Sequence, residues 1–188
     1  MFVLVCLQED FDKYDLHQFK DIIGHDSYDV VILDDVTEGA AQTILQAKDL
    51  INDNTPLLTL NTDQMIDYNP KKMWGIAEHY DGYIPCFWGD SEDWSYARTL
   101  DNGYVQEVAE KKVISNNATA GYYYWKKGSD FVKYAEQMIE QNSRTNGEFY
   151  VAPVYNWAIK DGKKIGVFMV DKLHSLGTPE DLKEYLNG

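Results

Sequence analysis

Apolar and polar positions along the chain fall into runs of two periods. FVLVCL (2–7) and SYDVVILDD (27–35) are continuous apolar runs bounded by acidic residues, the pattern of buried strands, and Leu57 to Leu60 repeats it. DLHQFKDII (15–23) puts Leu16, Phe19, Ile22 and Ile23 on one helical face, with Gly24 to stop it. AAQTILQAKDLI (40–51) has small and apolar residues at helical spacing. Asn69 and Pro70 start a helix through MWGIAEH, and DGYIPCFW (81–88) is another strand. WSYARTL and YVQEVAE alternate on either side of Leu100-Asp101-Asn102-Gly103, a hairpin signal. ATAGYYYWKK (118–127) is an aromatic strand whose tyrosines alternate faces, so they cannot all line one pocket. Gly128-Ser129-Asp130 opens the amphipathic helix FVKYAEQMIEQ, and a second helical stretch runs from about Tyr150 to Lys160. DGKKIGVFMV gives a hairpin-like turn and a strand. Thr178, Pro179, Glu180 and Asp181 start a last helix, with Thr as cap, Pro at its first position and acids in its first turn.

Helix and strand alternate in the first half and hairpins dominate the second, with no internal repeat or linker. The expectation is one α/β domain over residues 1–188 with a mixed sheet. A chain of 188 residues buries most of its surface without staples. Its 14 tyrosines and five tryptophans predict an aromatic core or a cleft lined with rings. The formal net charge of −14 argues against nucleic acid and anionic membranes, whose phosphates demand Lys and Arg. It leaves room for a nucleotide bound with a divalent cation, which inverts the local field. Cys6 and Cys86 lie in apolar runs and no C-x-x-C occurs, the usage of a reducing cytoplasm. No apolar run is long enough to span a membrane, and the first residues lack the basic start of a signal peptide.

Asp63 follows the third strand in LLTLNTDQ. A carboxylate at a strand's carboxyl end suits Mg²⁺ shared with substrate phosphates, and it equally suits the cap of a turn. Glu38-Gly39 precedes a helix of small residues. The glycine would let a planar ring approach the backbone and the helix start would receive an anion, or it is simply a helix start. Asp34 and Asp35 suit a ribose or a solvated loop. Glu110-Lys111 at the end of YVQEVAE could bond a sugar hydroxyl and a phosphate, although such neighbours are common on surfaces. His17, His25, His79 and His174 have no metal-ligand spacing, and G-x-S-x-G, G-x-G-x-x-G and P-loop signatures are absent.

In order along the chain come VTEGAAQTILQAK (36–48), PLLTLNTDQ (56–64), NGYVQEVAEKK (102–112), ISNNATAGYYY (114–124) and LGTPEDL (176–182). Together they resemble the sugar-nucleotide pyrophosphorylase family, the sugar-1-phosphate nucleotidyltransferases, from FVLVCLQED to the C-terminus. The resemblance implies a Rossmann-like nucleotide-diphospho-sugar transferase domain with a mixed, mostly parallel sheet. It implies a cytoplasmic enzyme that joins a nucleoside triphosphate to a sugar phosphate, as in polysaccharide precursor synthesis. Asp63 would hold catalytic Mg²⁺, with Glu148 as a second candidate, and Glu38 and Gly39 would lie at the nucleotide. Glu110 and Lys111 would contact the sugar and its phosphate, and Asn116 and Gly121 would flank the sugar. Ser95 stands where the family often has glycine, and Val151 where it has a second metal-binding Asp.

The resemblance opens at the family's second strand, without its first strand, Gly-rich loop and first helix. The expectation is therefore an apolar slot with an unpaired edge, suited to a homo-oligomer, and a chain that lacks the phosphate cradle. Two alternatives accordingly stand beside the enzyme: a glycosyltransferase-like nucleotide-sugar binder, disfavoured by the lack of D-x-D near Asp63, and a non-catalytic remnant.

Overall fold

The computed structural model describes residues 1–24 and 27–187. His25 lies outside them. The first apolar runs form β1 (Phe2–Leu7) and β2 (Tyr28–Leu33), a parallel pair in register from Phe2 opposite Tyr28 to Leu7 opposite Leu33. The connection holds α1 (Gln8–Lys13), a single 3₁₀ turn (Leu16–Gln18) and α2 (Phe19–Ile23), so helix begins earlier than the periodicity places it. Gly24, at φ +60°, ends it as expected. Among the described residues β1 pairs with β2 and no other strand, and no position of either strand is buried.

The helical run after Gly39 divides into α3 (Ala40–Leu45) and α4 (Lys48–Ile51). β3 (Leu57–Leu60) then enters a seven-stranded sheet with β5 (Gly82–Trp88), β6 (Ser95–Thr99), β7 (Val105–Glu110), β8 (Asn117–Thr119), β9 (Tyr122–Trp125) and β10 (Ile165–Met169). Its order is β3-β9-β5-β8-β6-β7, with β10 on β5. The sheet is mixed as expected. The expected majority of parallel pairs is not found: β10 with β5 is its one parallel pair among the described residues, and the other five ladders are antiparallel. Short returns such as the β6–β7 hairpin favour antiparallel neighbours, whereas a parallel neighbour needs a long crossover. DGKK is likewise not a hairpin turn, because the strand after it runs parallel to β5.

Helices cover both faces of the sheet. On one, α6 (Gly128–Glu140) and α7 (Val154–Lys160) bury Phe131, Tyr134, Met138 and Tyr155 against Trp125 and Ile84. On the other, α5 (Pro70–Ala77), with Asn69 accepting from the Lys72 N–H, packs Met73 and Ala77 near Tyr83, Tyr124 and Phe168. The aromatic strand divides as its alternation predicts, Tyr123 and Trp125 to the first face, Tyr122 and Tyr124 to the second. It is broken at Gly121 into β8 and β9. Trp125 stacks on Tyr155, ring centroids 4.2 Å apart and 2° from parallel. At the outer strand, Asn156 on α7 accepts from the Val108 N–H at 2.8 Å and donates to the Val108 carbonyl at 2.7 Å. That clamp satisfies both backbone groups of Val108, two residues before Glu110.

Two four-residue strands escape the periodicity, β4 (Gln64–Asp67) and β11 (Lys172–Ser175), which pair antiparallel. The last helix, α8 (Pro179–Asn187), starts as expected, with the Thr178 hydroxyl accepting from the Asp181 N–H at 3.1 Å. Among the described residues no helix is long and apolar enough to cross a membrane.

Candidate functional site

Between β3 and β4 the chain turns through Asn61, Thr62 and Asp63, and three bonds fix that turn. The Asn61 N–H donates to the Gly121 carbonyl at 2.9 Å, the Asn61 amide to Gln64 Oε1 at 3.3 Å, and the Leu176 N–H to the Asp63 carbonyl at 2.7 Å. The Asp63 side chain is exposed and accepts no hydrogen bond among the described residues, so it does not cap the turn. The carboxylate is thus solvent-exposed, its position set by backbone bonds. Gly121 adopts φ +73°, a left-handed conformation that favours glycine, and a Cβ there would push aside the Gln64 amide.

The β6–β7 hairpin sets Ser95 directly opposite Glu110, and the Ser95 hydroxyl donates to Glu110 Oε2. Burial pushes the Glu110 carboxyl above the ordinary glutamate value. The Ser95 bond and the Lys111 charge oppose that shift, and Glu148 adds to it. Lys111 leaves the strand in the left-handed region, φ +51°, where a non-glycine residue is uncommon, with its N–H on the Trp94 carbonyl at 3.0 Å. Its ammonium stands exposed, 5.6 Å from the Tyr150 ring centroid.

Residues 148–150 connect this pair with Glu38 and Gly39. The Phe149 N–H donates to the Glu38 carbonyl and the Ala41 N–H to the Phe149 carbonyl, both at 2.9 Å. Gly39 adopts φ +134°, and a Cβ would meet the Phe149 backbone at 2.6 Å. The close approach that demands glycine here is thus made by this chain's own backbone, and one of the N–H groups at the start of α3 is already used. Arg144 ties the segment down: it donates to Glu38 Oε1 at 3.0 Å and to the Gly147 carbonyl at 2.9 Å, and its guanidinium lies 4.0 Å over the Phe149 ring. Nothing in the local sequence marks Arg144, because its partner is distant in the chain.

Glu38, Gly39, Glu110 and Lys111 therefore border the segment that carries Glu148, and Gly121 bonds Asn61, two residues before Asp63, at the end of β3. Asn116 is exposed, with its carbonyl accepting from the Gly89 N–H at 3.1 Å. A hollow of about 350 Å³ is lined by Asp34, Asp35, Thr37, Glu38 and Gln42, among others. A second, of about 340 Å³, lies between β11 and α8. Neither includes Asp63, Glu110 or Gly121. Among the described residues no three His, Cys, Asp or Glu side chains gather to hold a metal ion.

The family described as nucleotidyl transferase matches residues 3–186. Among curated protein sequences none matches the chain. Solved structures share the fold. The chain is similar to a nucleoside-diphosphate-sugar pyrophosphorylase from Vibrio cholerae RC9, with a TM-score of 0.85, 22% identity, and coverage of 100% of this chain and 80% of that one. It is similar to a UDP-glucose pyrophosphorylase complexed with UDP-glucose, with a TM-score of 0.75, 18% identity, and coverage of 99% and 80%. An inositol-1-phosphate CTP transferase from T. maritima gives a TM-score of 0.75 at 14% identity, with coverage of 98% and 73%.

Proposed function

The chain belongs to the nucleotidyl transferase family, and from that premise we propose that it is a sugar-1-phosphate nucleotidyltransferase. In the proposed reaction a sugar-phosphate oxygen attacks the α-phosphorus of a nucleoside triphosphate. A new P–O bond forms, the P–O bond to the β-phosphate breaks, and pyrophosphate leaves. The carrying observation is that the family match runs over nearly the whole chain and takes in both Asp63 and Glu110-Lys111. The similar solved structures include proteins named for nucleotide-sugar synthesis, one of them complexed with UDP-glucose.

The open Asp63 carboxylate, together with ligand phosphate oxygens, suits Mg²⁺, which is bound through one or two carboxylates plus phosphates. Glu148 is a second candidate ligand. Bound there, the cation would neutralise phosphate charge. The protein's own part is positioning and electrostatics, which dominate phosphoryl-type transfer. Lys111 presents a point charge to a phosphate, and Glu110 accepts from a sugar hydroxyl. Asn116 and Gly121 flank the sugar, and Glu38 and Gly39 border the nucleotide.

The test is pyrophosphorolysis: UDP-, dTDP-, CDP- and GDP-glucose, each with pyrophosphate and Mg²⁺, followed by release of the nucleoside triphosphate. Turnover with one of them is expected, with its loss in Asp63→Asn while circular dichroism stays unchanged. Calorimetric heat without turnover would reduce the function to nucleotide-sugar binding. Neither heat nor turnover from folded protein would overturn the proposal.

A further inference from the structure

Three polar side chains are buried among the described residues, Thr59, Ser95 and Thr119, and Ser95 bonds directly to Glu110. The Thr119 and Tyr123 hydroxyls are 3.1 Å apart. Tyr123 is held up to about 12 chiefly by burial, relieved by hydrogen bonding to Thr119 and to Ser95. Ser95, 7% exposed, donates in turn to Glu110 Oε2. Thr119 and Tyr123 thus satisfy each other, and the single proton of the Ser95 hydroxyl is given to Glu110. The carboxylate, which only accepts when ionised, fixes the direction in which the Ser95 hydroxyl points.

This arrangement divides the two oxygens of Glu110. Oε2 is engaged from within the sheet, and the half-buried carboxyl feels the charges of Lys111 and Glu148. A carboxylate with both oxygens free can accept from two neighbouring hydroxyls of a sugar at once. A hydroxyl bond to Oε2 fills one of its acceptor sites and fixes the carboxylate plane, leaving Oε1 as the oxygen without a donor among the described residues. We propose that Ser95 is a positioning residue that sets sugar selectivity, holding Glu110 through Oε2 so that Oε1 reads one ligand hydroxyl. The inference rests on the reading that Glu110 meets the sugar, and it goes beyond that reading by assigning the group that aims it.

The test uses the chain of 188 residues and two measurements, with circular dichroism to confirm folding of each variant. The first is a pH titration of the Glu110 carboxyl by ¹³C NMR, assigned with Glu110→Gln. It needs no ligand. Ser95→Ala removes a donor that favours the ionised form, so the midpoint moves upward, and Ser95→Thr, which keeps the hydroxyl, returns it toward wild type. The second is calorimetry with whichever of UDP-, dTDP-, CDP- or GDP-glucose binds, beside the corresponding nucleoside diphosphate. Ser95→Ala is expected to weaken the nucleotide sugar roughly tenfold, the scale of one hydrogen bond to a charged group, and to leave the nucleoside diphosphate unchanged. A Glu110 midpoint that Ser95→Ala does not move overturns the proposal, as does an equal loss for both ligands. A normal response of the nucleotide sugar to Glu110→Gln, with its midpoint shift in Ser95→Ala intact, removes Glu110 from the sugar and overturns the selectivity role. The pyrophosphorolysis test of the proposed reaction is independent of these results.

Discussion

Strands β1 and β2 are as apolar in sequence as β5, but five of the seven positions in β5 are buried and none in β1 or β2 is. The two regions differ in what lies next to them. β5 has strands on both sides and helices on both faces of its sheet, whereas β1 and β2 pair with each other and pack with the short helices of their own connection. Parallel strands are stable when both faces are covered. Phe2 and Ile32 remain 48% and 36% exposed for want of that second layer among the described residues. An apolar run therefore supplies the material of a core, and only layering makes it one.

The sharpest way to break this comparison is a pair of truncations read by urea unfolding. Trp125→Ala should cost about 3–5 kcal/mol, because it removes a fully buried ring and its stack on Tyr155. Leu4→Ala in β1 should cost about 1 kcal/mol or less, since little area returns to water. Equal losses would show that β1 and β2 belong to the same cooperative core. Amide hydrogen exchange should rank the regions in the same order, with β1 and β2 exchanging before β5.

A somewhat smaller effect is expected from Asn156→Ala. It strips the partners from both the N–H and the carbonyl of Val108 and should cost about 2–3 kcal/mol in the same assay. Loss of the clamp also loosens the strand that carries Glu110, so nucleotide-sugar binding should weaken with it.

The smallest effect sharpens the comparison through charge. A carboxyl whose pKa is raised on folding holds its proton more tightly when folded, so stability falls as pH climbs above the ordinary 4.5 through the raised value, and stays lower beyond it. Glu110→Gln should remove that slope and raise the melting temperature at pH 7, by about 1 kcal/mol or less in stability once partial solvent screening is counted. A slope that persists in the variant would assign it to another group.

Local chemistry made several elements legible in advance. Asn69 and Thr178 both cap helices through bonds within three residues, and Asp101-Asn102-Gly103 makes its hairpin with neighbours in the chain. The alternation of Tyr122 to Trp125 needs only the two-residue period of a strand. β4 and β11 were not legible, because four residues carry too little pattern and each exists through a partner about a hundred residues away. At the candidate site, the sequence drew attention to Asp63, Gly39 and Glu110 as residue types in suggestive places, and the family resemblance added Gly121. It gave no sign of Arg144 beneath Glu38 or Asn156 on Val108.

By itself the sequence determined the alternation of helices and strands, the two-faced aromatic strand, the acidic surface charge and the order of segments that marks the family. Only the tertiary structure decided that β10 runs parallel to β5 while the rest of that sheet is antiparallel, that Gly39 yields to the Phe149 backbone, and that Ser95 grips Glu110. Periodicity and caps are set by groups within a few residues of one another. Pairing direction, close approach and the partner of a buried carboxyl depend on which distant segments the packed layers bring into contact.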